Sequence, residues 1–172
     1  ADNWRAAAAE FDARYQAIAK DQWEASTPCS EWNVHQLVAH AVGVQASFGG
    51  ALGADAPADA DWKTARAAME AAISQPGGTD GIINFPPLGG DVPKAMVLGI
   101  CTTDLLIHTW DLARAIGANE QLPEDLVAGA HHGLQSLPAE AIRVPGRFDA
   151  VTEVPDDADA QTKMLAFAGR KP

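Results

Sequence analysis

The chain is poor in basic residues. Its 172 residues include 12 lysines and arginines against 23 aspartates and glutamates, which gives a formal net charge of -11 at pH 7. Nucleic acids and anionic membrane surfaces are bound through clustered basic side chains, and the few present here are scattered along the sequence. We therefore expect neither nucleic acid nor a membrane among the partners.

Long apolar runs and a cysteine framework are also missing. No apolar stretch approaches the ~20 residues that a membrane-spanning helix needs. The first residues, ADNWRAAAAEFDARY, carry charges throughout and are not typical of a secretory signal. Two cysteines, Cys29 and Cys101, are too few to indicate a secreted disulfide scaffold. We expect a cytoplasmic protein with free thiols.

Several catalytic motifs are absent. The sequence contains no HExxH, no GxSxG, no glycine-rich phosphate loop and no CxxC. These absences argue against serine hydrolases, P-loop enzymes and Rossmann dehydrogenases.

What the chain does contain favours helices. It is rich in alanine and has few β-branched residues. Helical spacing of apolar residues and capping signals predict helices over 3–19, 33–50, 61–74, 94–116, 123–136 and 159–168. We predict one all-α domain over residues 1–172, a four-helix bundle of the first, second, fourth and fifth helices plus short extra helices.

Residues 50–93 form the long connection in this prediction. They include the third, shorter helix and an irregular stretch with one short extended piece around IINFP. A connection of this length fits a crossover that lets the second and fourth helices run parallel.

Asp104 and His108 are four residues apart in the longest predicted helix, CTTDLLIHTWDLARAIG. Residues i and i+4 lie on one helix face, so this carboxylate and imidazole can clamp a metal ion. The residues between them are apolar, so the helix is at least partly buried, and a buried carboxylate needs a partner. A buried Asp–His hydrogen bond fits the same pattern.

His40 is the third candidate ligand, on the apolar face of the second helix. Alone it would be read as a hydrogen-bonded core histidine, but with Asp104 and His108 it completes a site between facing helices. Two imidazoles and one carboxylate suit Zn²⁺ first, with Ni²⁺ or Fe²⁺ as alternatives. Three protein ligands leave an open position, as in catalytic sites. Non-haem Fe(II) oxygenases share this ligand set and are a weaker alternative.

Two further residues lie near the same face of the longest predicted helix. Cys101 precedes Asp104 by three positions and is either part of the surrounding shell or a small buried hydrophobe. Asp111 follows His108 by three positions and either orients its imidazole or pairs with Arg114 on the surface.

Three segments resemble the DinB-like, or mycothiol-dependent maleylpyruvate isomerase N-terminal, superfamily. They are TPCSEWNVHQLVAHAVG (27–43), TDLLIHTWDLARAIG (103–117) and the tail 146–172 with GRFDAVTEVP and AFAGRKP. The tail is similar to a single-domain, actinobacterial-type subgroup of metal-binding members. The resemblance implies a helical bundle with His40, Asp104 and His108 as metal ligands.

The resemblance also implies a function, in which a metal activates a low-molecular-weight thiol of the mycothiol type for isomerisation or S-transfer. Asp104 stands where the isomerase has glutamate, and the sequence lacks the isomerase's C-terminal domain, so both features point away from maleylpyruvate as substrate. We expect a metal-dependent thiol transferase or isomerase acting on a small molecule, as a monomer or homodimer. The alternative is a non-catalytic protein of the same fold that binds a metal or small ligand.

Overall fold

The computed structural model describes residues 1–137, 142–143 and 148–172. The chain is mostly helical, as the sequence predicts. The helices are α1 (Asp2–Gln16), α2 (Val34–Ala51), α3 (Trp62–Ile73), α4 (Lys94–Ile116), α5 (Glu124–Ser136) and α6 (Ala160–Phe167). In the described residues, no helix is both long and apolar enough to cross a membrane.

Local signals determine where α2 begins and α4 ends. The side chain of Asn33 accepts a hydrogen bond from the amide of Gln36, whose side chain accepts one from the amide of Asn33. This reciprocal pair is the capping box that the spacing indicates. Gly117 ends α4 in the left-handed conformation, with φ of 69°, which glycine adopts readily because it has no Cβ.

A small antiparallel hairpin precedes α4. Its strands are β1 (Ile82–Phe85) and β2 (Gly90–Pro93), where the sequence predicts an irregular connection with one short extended piece. Phe85 in β1 contacts Phe48 near the end of α2, with 4.8 Å between the ring centroids. The hairpin therefore brings the chain to the C-terminal end of α2.

Helices α2 and α4 run antiparallel, so the prediction that they run parallel is wrong. His40 in α2 lies 3.5 Å from Asp104, whereas Gln45, further along α2, donates a hydrogen bond to the carbonyl of Cys101, which comes earlier in α4. The physical reason is α3, which packs on α2 and reaches Gly49 near the end of α2 through Met69. The chain therefore enters α4 at the end where α2 finishes.

The core surrounds α4, which contacts α1, α2 and α5. The indole of Trp4 in α1 donates a hydrogen bond to Gln45, and Gln45 donates in turn to the carbonyl of Cys101. This chain of bonds satisfies buried polar groups on three helices and fixes α1 and α2 against α4. That α1, α2, α4 and α5 form a four-helix bundle stays a prediction.

Candidate metal centre

Helices α2 and α4 bring the three predicted ligands together. Asp104 and His108 lie one turn apart on α4, and His40 faces them from α2. The Oδ1 atom of Asp104 lies 3.5 Å from His40 Nε2 and 3.6 Å from His108 Nε2. One donor atom from each residue lies within 4.8 Å of the other two. Metal binding by this group stays a prediction, but its geometry permits it.

Asp104 carries a carboxylate oxygen without a partner. Its Oδ2 atom is buried and has no hydrogen-bond partner in the described part of the chain. A buried acceptor in this state is costly, and a cation held by the three side chains would remove the cost. Two imidazole nitrogens and a carboxylate oxygen are donors that divalent first-row metals accept. The residues present therefore fit a divalent metal ion.

The charges around Asp104 keep its carboxyl group ionised. Burial raises the pKa of Asp104, but the charge of His108 and hydrogen bonds from His108 and His40 outweigh it, so the pKa lies below its usual range. Burial lowers the pKa of His108, and the nearby carboxylates of Asp104 and Asp111 more than reverse this. In the metal-free protein, Asp104 is therefore ionised beside a protonated His108, and a metal ion would displace the His108 proton on binding.

Asp111 orients His108 from the opposite side of the ring. Its Oδ2 lies 2.9 Å from His108 Nδ1, so Nδ1 carries a proton in both the neutral and the charged ring, because a carboxylate can only accept. The Nε2 atom is then left facing Asp104. Carboxylates fix metal-binding histidines in this way. The alternative pairing of Asp111 with Arg114 is wrong, because Asp111 is fully buried and Arg114 pairs with Glu120.

Arg170 holds Asp111 in place. Its Nε lies 3.0 Å from Asp111 Oδ1, and its Nη2 lies 2.8 Å from Asp111 Oδ2. Such bidentate pairs fix both position and orientation. Sequence reasoning missed this residue because no periodic pattern relates position 170 to position 111. The available signal was its place in AFAGRKP, a segment that carries the family resemblance.

The turn before α2 contributes two more side chains. The ring of Trp32 lies 4.5 Å from that of His40 and 5.9 Å from that of His108, between centroids. Cys29 Sγ lies 3.3 Å from Arg170 Nη2. Sequence reasoning assigned neither residue to the site, although both belong to the TPCSEW turn that carries the resemblance.

A second group of potential ligands consists of Cys29, His108 and Asp111. Asp111 Oδ2 lies 3.4 Å from Cys29 Sγ, but the guanidinium of Arg170 already neutralises this carboxylate and contacts the sulfur. Because the positive charge is already supplied there, the group of His40, Asp104 and His108 is the better candidate for a metal.

Cys101 belongs to neither group. Its side chain is fully buried in the core, and burial raises the pKa of its thiol. This environment suits a small buried hydrophobe, which was one of the two interpretations from the sequence. A role in the shell around the metal stays a prediction.

A large cavity opens beside the candidate ligands. It has a volume of about 1330 Å³, and His40, Asp104 and His108 line it together with Trp32 and Arg170. Helix α5 and residues after it complete the wall. Single small-molecule pockets are typically about 300–1,000 Å³, so this cavity has room for two small partners at once.

Comparison with known proteins identifies relatives of this chain. A family model described as the mycothiol maleylpyruvate isomerase N-terminal domain matches residues 4–71, a range that includes His40. Two uncharacterized proteins of Mycobacterium tuberculosis, from strains CDC 1551 / Oshkosh and ATCC 25618 / H37Rv, are each 32% identical over 168 residues, covering 93% of this chain and 91% of the relative. No solved structure matches the chain at a significant level.

The matched range agrees with the first segment on which the resemblance depends, TPCSEWNVHQLVAHAVG. The two mycobacterial relatives align with 93% of the chain, which includes the part that forms α4. The chain belongs to the family of the mycothiol maleylpyruvate isomerase N-terminal domain.

Proposed function

We propose that this protein is a metal-dependent transferase or isomerase that uses a low-molecular-weight thiol of the mycothiol type. The observation that carries the proposal is the group of His40, Asp104 and His108, with a buried unpartnered oxygen, at one end of a cavity large enough for two small molecules. Membership of the family supports the choice of thiol.

His40, Asp104 and His108 are the residues that would hold the metal, with Zn²⁺ first and Ni²⁺ or Fe²⁺ as alternatives. A bound divalent metal supplies Lewis acidity, which lowers the pKa of a thiol or water at its open position. Asp111 keeps the Nδ1 proton of His108 in place, and Arg170 keeps Asp111 in place. Trp32 packs against the ring of His40 and lies close to that of His108, so it forms part of the wall beside the ligands.

The scaffold proposed for this site is the four-helix bundle of α1, α2, α4 and α5. The contacts of α4 with the other three helices support it. In such bundles, side chains from facing helices form metal sites within the core.

The test is a turnover assay with metal-loaded protein, mycothiol and a panel of electrophiles. We expect turnover that requires both metal and thiol, and that is lost in His40→Ala but kept in His35→Ala. His35 is an exposed histidine on the same helix, outside the metal group. If metal and thiol both bind saturably and no electrophile is turned over, the protein is a non-catalytic binding protein instead.

A further inference from the structure

Two stripes of apolar residues extend along α2 and α4 from the candidate metal ligands. On α2, Val44 and Phe48 follow His40 at intervals of four residues, and on α4, Ile100 and Met96 precede Asp104 at the same interval. Residues at this spacing share one helix face, and all four line the cavity. Because α2 and α4 are antiparallel, both stripes leave the ligands in the same direction.

The cavity is therefore polar at the end where the candidate ligands lie and apolar along the two stripes. Eight residues of α-helix rise about 12 Å, which is the distance from His40 to Phe48 along α2. We call this part of the cavity the apolar slot, defined by Val44, Phe48, Ile100 and Met96.

Helix α5 faces this cavity with glycines. Gly129 and Gly133 are one turn apart, and both line it. A Cβ on either one would meet no atom of residues 1–137, 142–143 and 148–172 within 4 Å, so no described neighbour requires a glycine there. Glycine inside a helix weakens it relative to alanine. Both positions leave space in the cavity that a side chain would fill.

The arginines on the described wall of the cavity are already engaged. Arg143 donates hydrogen bonds to the carbonyls of Asp149 and Phe167 and lies over the Phe167 ring at 4.9 Å. Arg170 is bound to Asp111. A small dicarboxylate in the slot would therefore face apolar side chains and arginines that have other partners.

We propose that the apolar slot takes the hydrocarbon part of an electrophile, a flat or extended body of about 12 Å, and that Gly129 and Gly133 determine how wide this body can be. The proposal rests on the proposed function for the identity of the ligand as an electrophile. It predicts that the substrate is an apolar molecule and not a small dicarboxylate.

The experiment measures binding of N-phenyl-1-naphthylamine, a neutral apolar probe whose fluorescence rises in an apolar site. We expect one saturable site in the metal-loaded wild type and an affinity at least tenfold lower in Gly133→Leu, because one methylene more or less in an apolar pocket is worth about 10- to 200-fold. Gly43→Leu is the matched control, since Gly43 is a helical glycine of α2 whose added Cβ also meets nothing within 4 Å and which lies outside this cavity.

A second variant tests whether weaker binding by Gly133→Leu results from misfolding. Gly129→Ala/Gly133→Ala adds two good helix-forming residues, so it should fold at least as well as the wild type and still bind the probe several-fold more weakly. Wild-type affinity in both variants overturns the proposal, as does weakening by Gly43→Leu alone. This experiment measures binding of the probe and not turnover. Its result therefore tests the apolar slot separately from the proposed thiol-dependent activity, and either proposal can be wrong without the other.

Discussion

Asp104→Asn will lower thiol-dependent turnover about a thousandfold, which corresponds to ~4 kcal/mol of transition-state stabilisation. The change keeps the size of the side chain and removes its negative charge. A neutral amide is a poor third ligand beside two imidazoles, and Asp104 supplies the only carboxylate of the group of His40, Asp104 and His108. The measurement is kcat/KM for a thiol and electrophile pair in the presence of added metal.

Asp125→Asn is the control for this change. Asp125 is an exposed carboxylate in the first turn of α5, outside the cavity, so the same loss of charge there should leave kcat/KM within about twofold of the wild type. Equal turnover in Asp104→Asn and the wild type, at saturating thiol, would show that the carboxylate has no role in the reaction.

Asp111→Ala will lower the free energy of unfolding of the metal-free protein by about 3–5 kcal/mol. Arg170 is only 8% exposed, and Asp111 is fully buried, so removing the carboxylate leaves a buried guanidinium without a counterion. The measurement is urea unfolding with a chelator present, so that loss of a bound metal does not contribute.

Glu120→Ala provides the comparison for an exposed ion pair. Arg114 donates hydrogen bonds from Nε and Nη2 to one oxygen of Glu120, Oε2, but the two side chains are 37% and 36% exposed, so the expected cost is about 0–1 kcal/mol. The double variant Asp111→Ala/Arg170→Met should recover part of the stability lost in the single variant, because it removes the unpaired charge. If Asp111→Ala costs no more than Glu120→Ala, the buried pair does not stabilise the fold.

Local sequence patterns predicted the helices well, and they predicted which side chains of α4 lie side by side. Four-residue spacing placed Asp104 and His108 on one face, and three-residue spacing placed Asp111 beside His108, because both relations depend only on helix geometry. The capping box of Asn33 and Gln36 is equally local. In each case, the interacting groups lie within one turn of the same helix.

Relations between distant segments could not be predicted in the same way. The direction of α4 relative to α2 depends on how α3 and the hairpin return the chain, which residue spacing does not encode. The contact of Arg170 with Asp111 depends on where α6 packs, and α6 contacts α5. Trp32 reaches His40 and His108 only because the turn before α2 folds against α4.

The most direct test of the central claim is the metal content of protein purified without a histidine tag. Wild type, His40→Ala and His35→Ala are compared by elemental analysis after reconstitution with Zn²⁺ and removal of excess metal. The account predicts about one metal ion per chain in the wild type and in His35→Ala, and almost none in His40→Ala, which keeps only two of the three ligands. Equal metal content in all three proteins, or no metal in any of them, would contradict it.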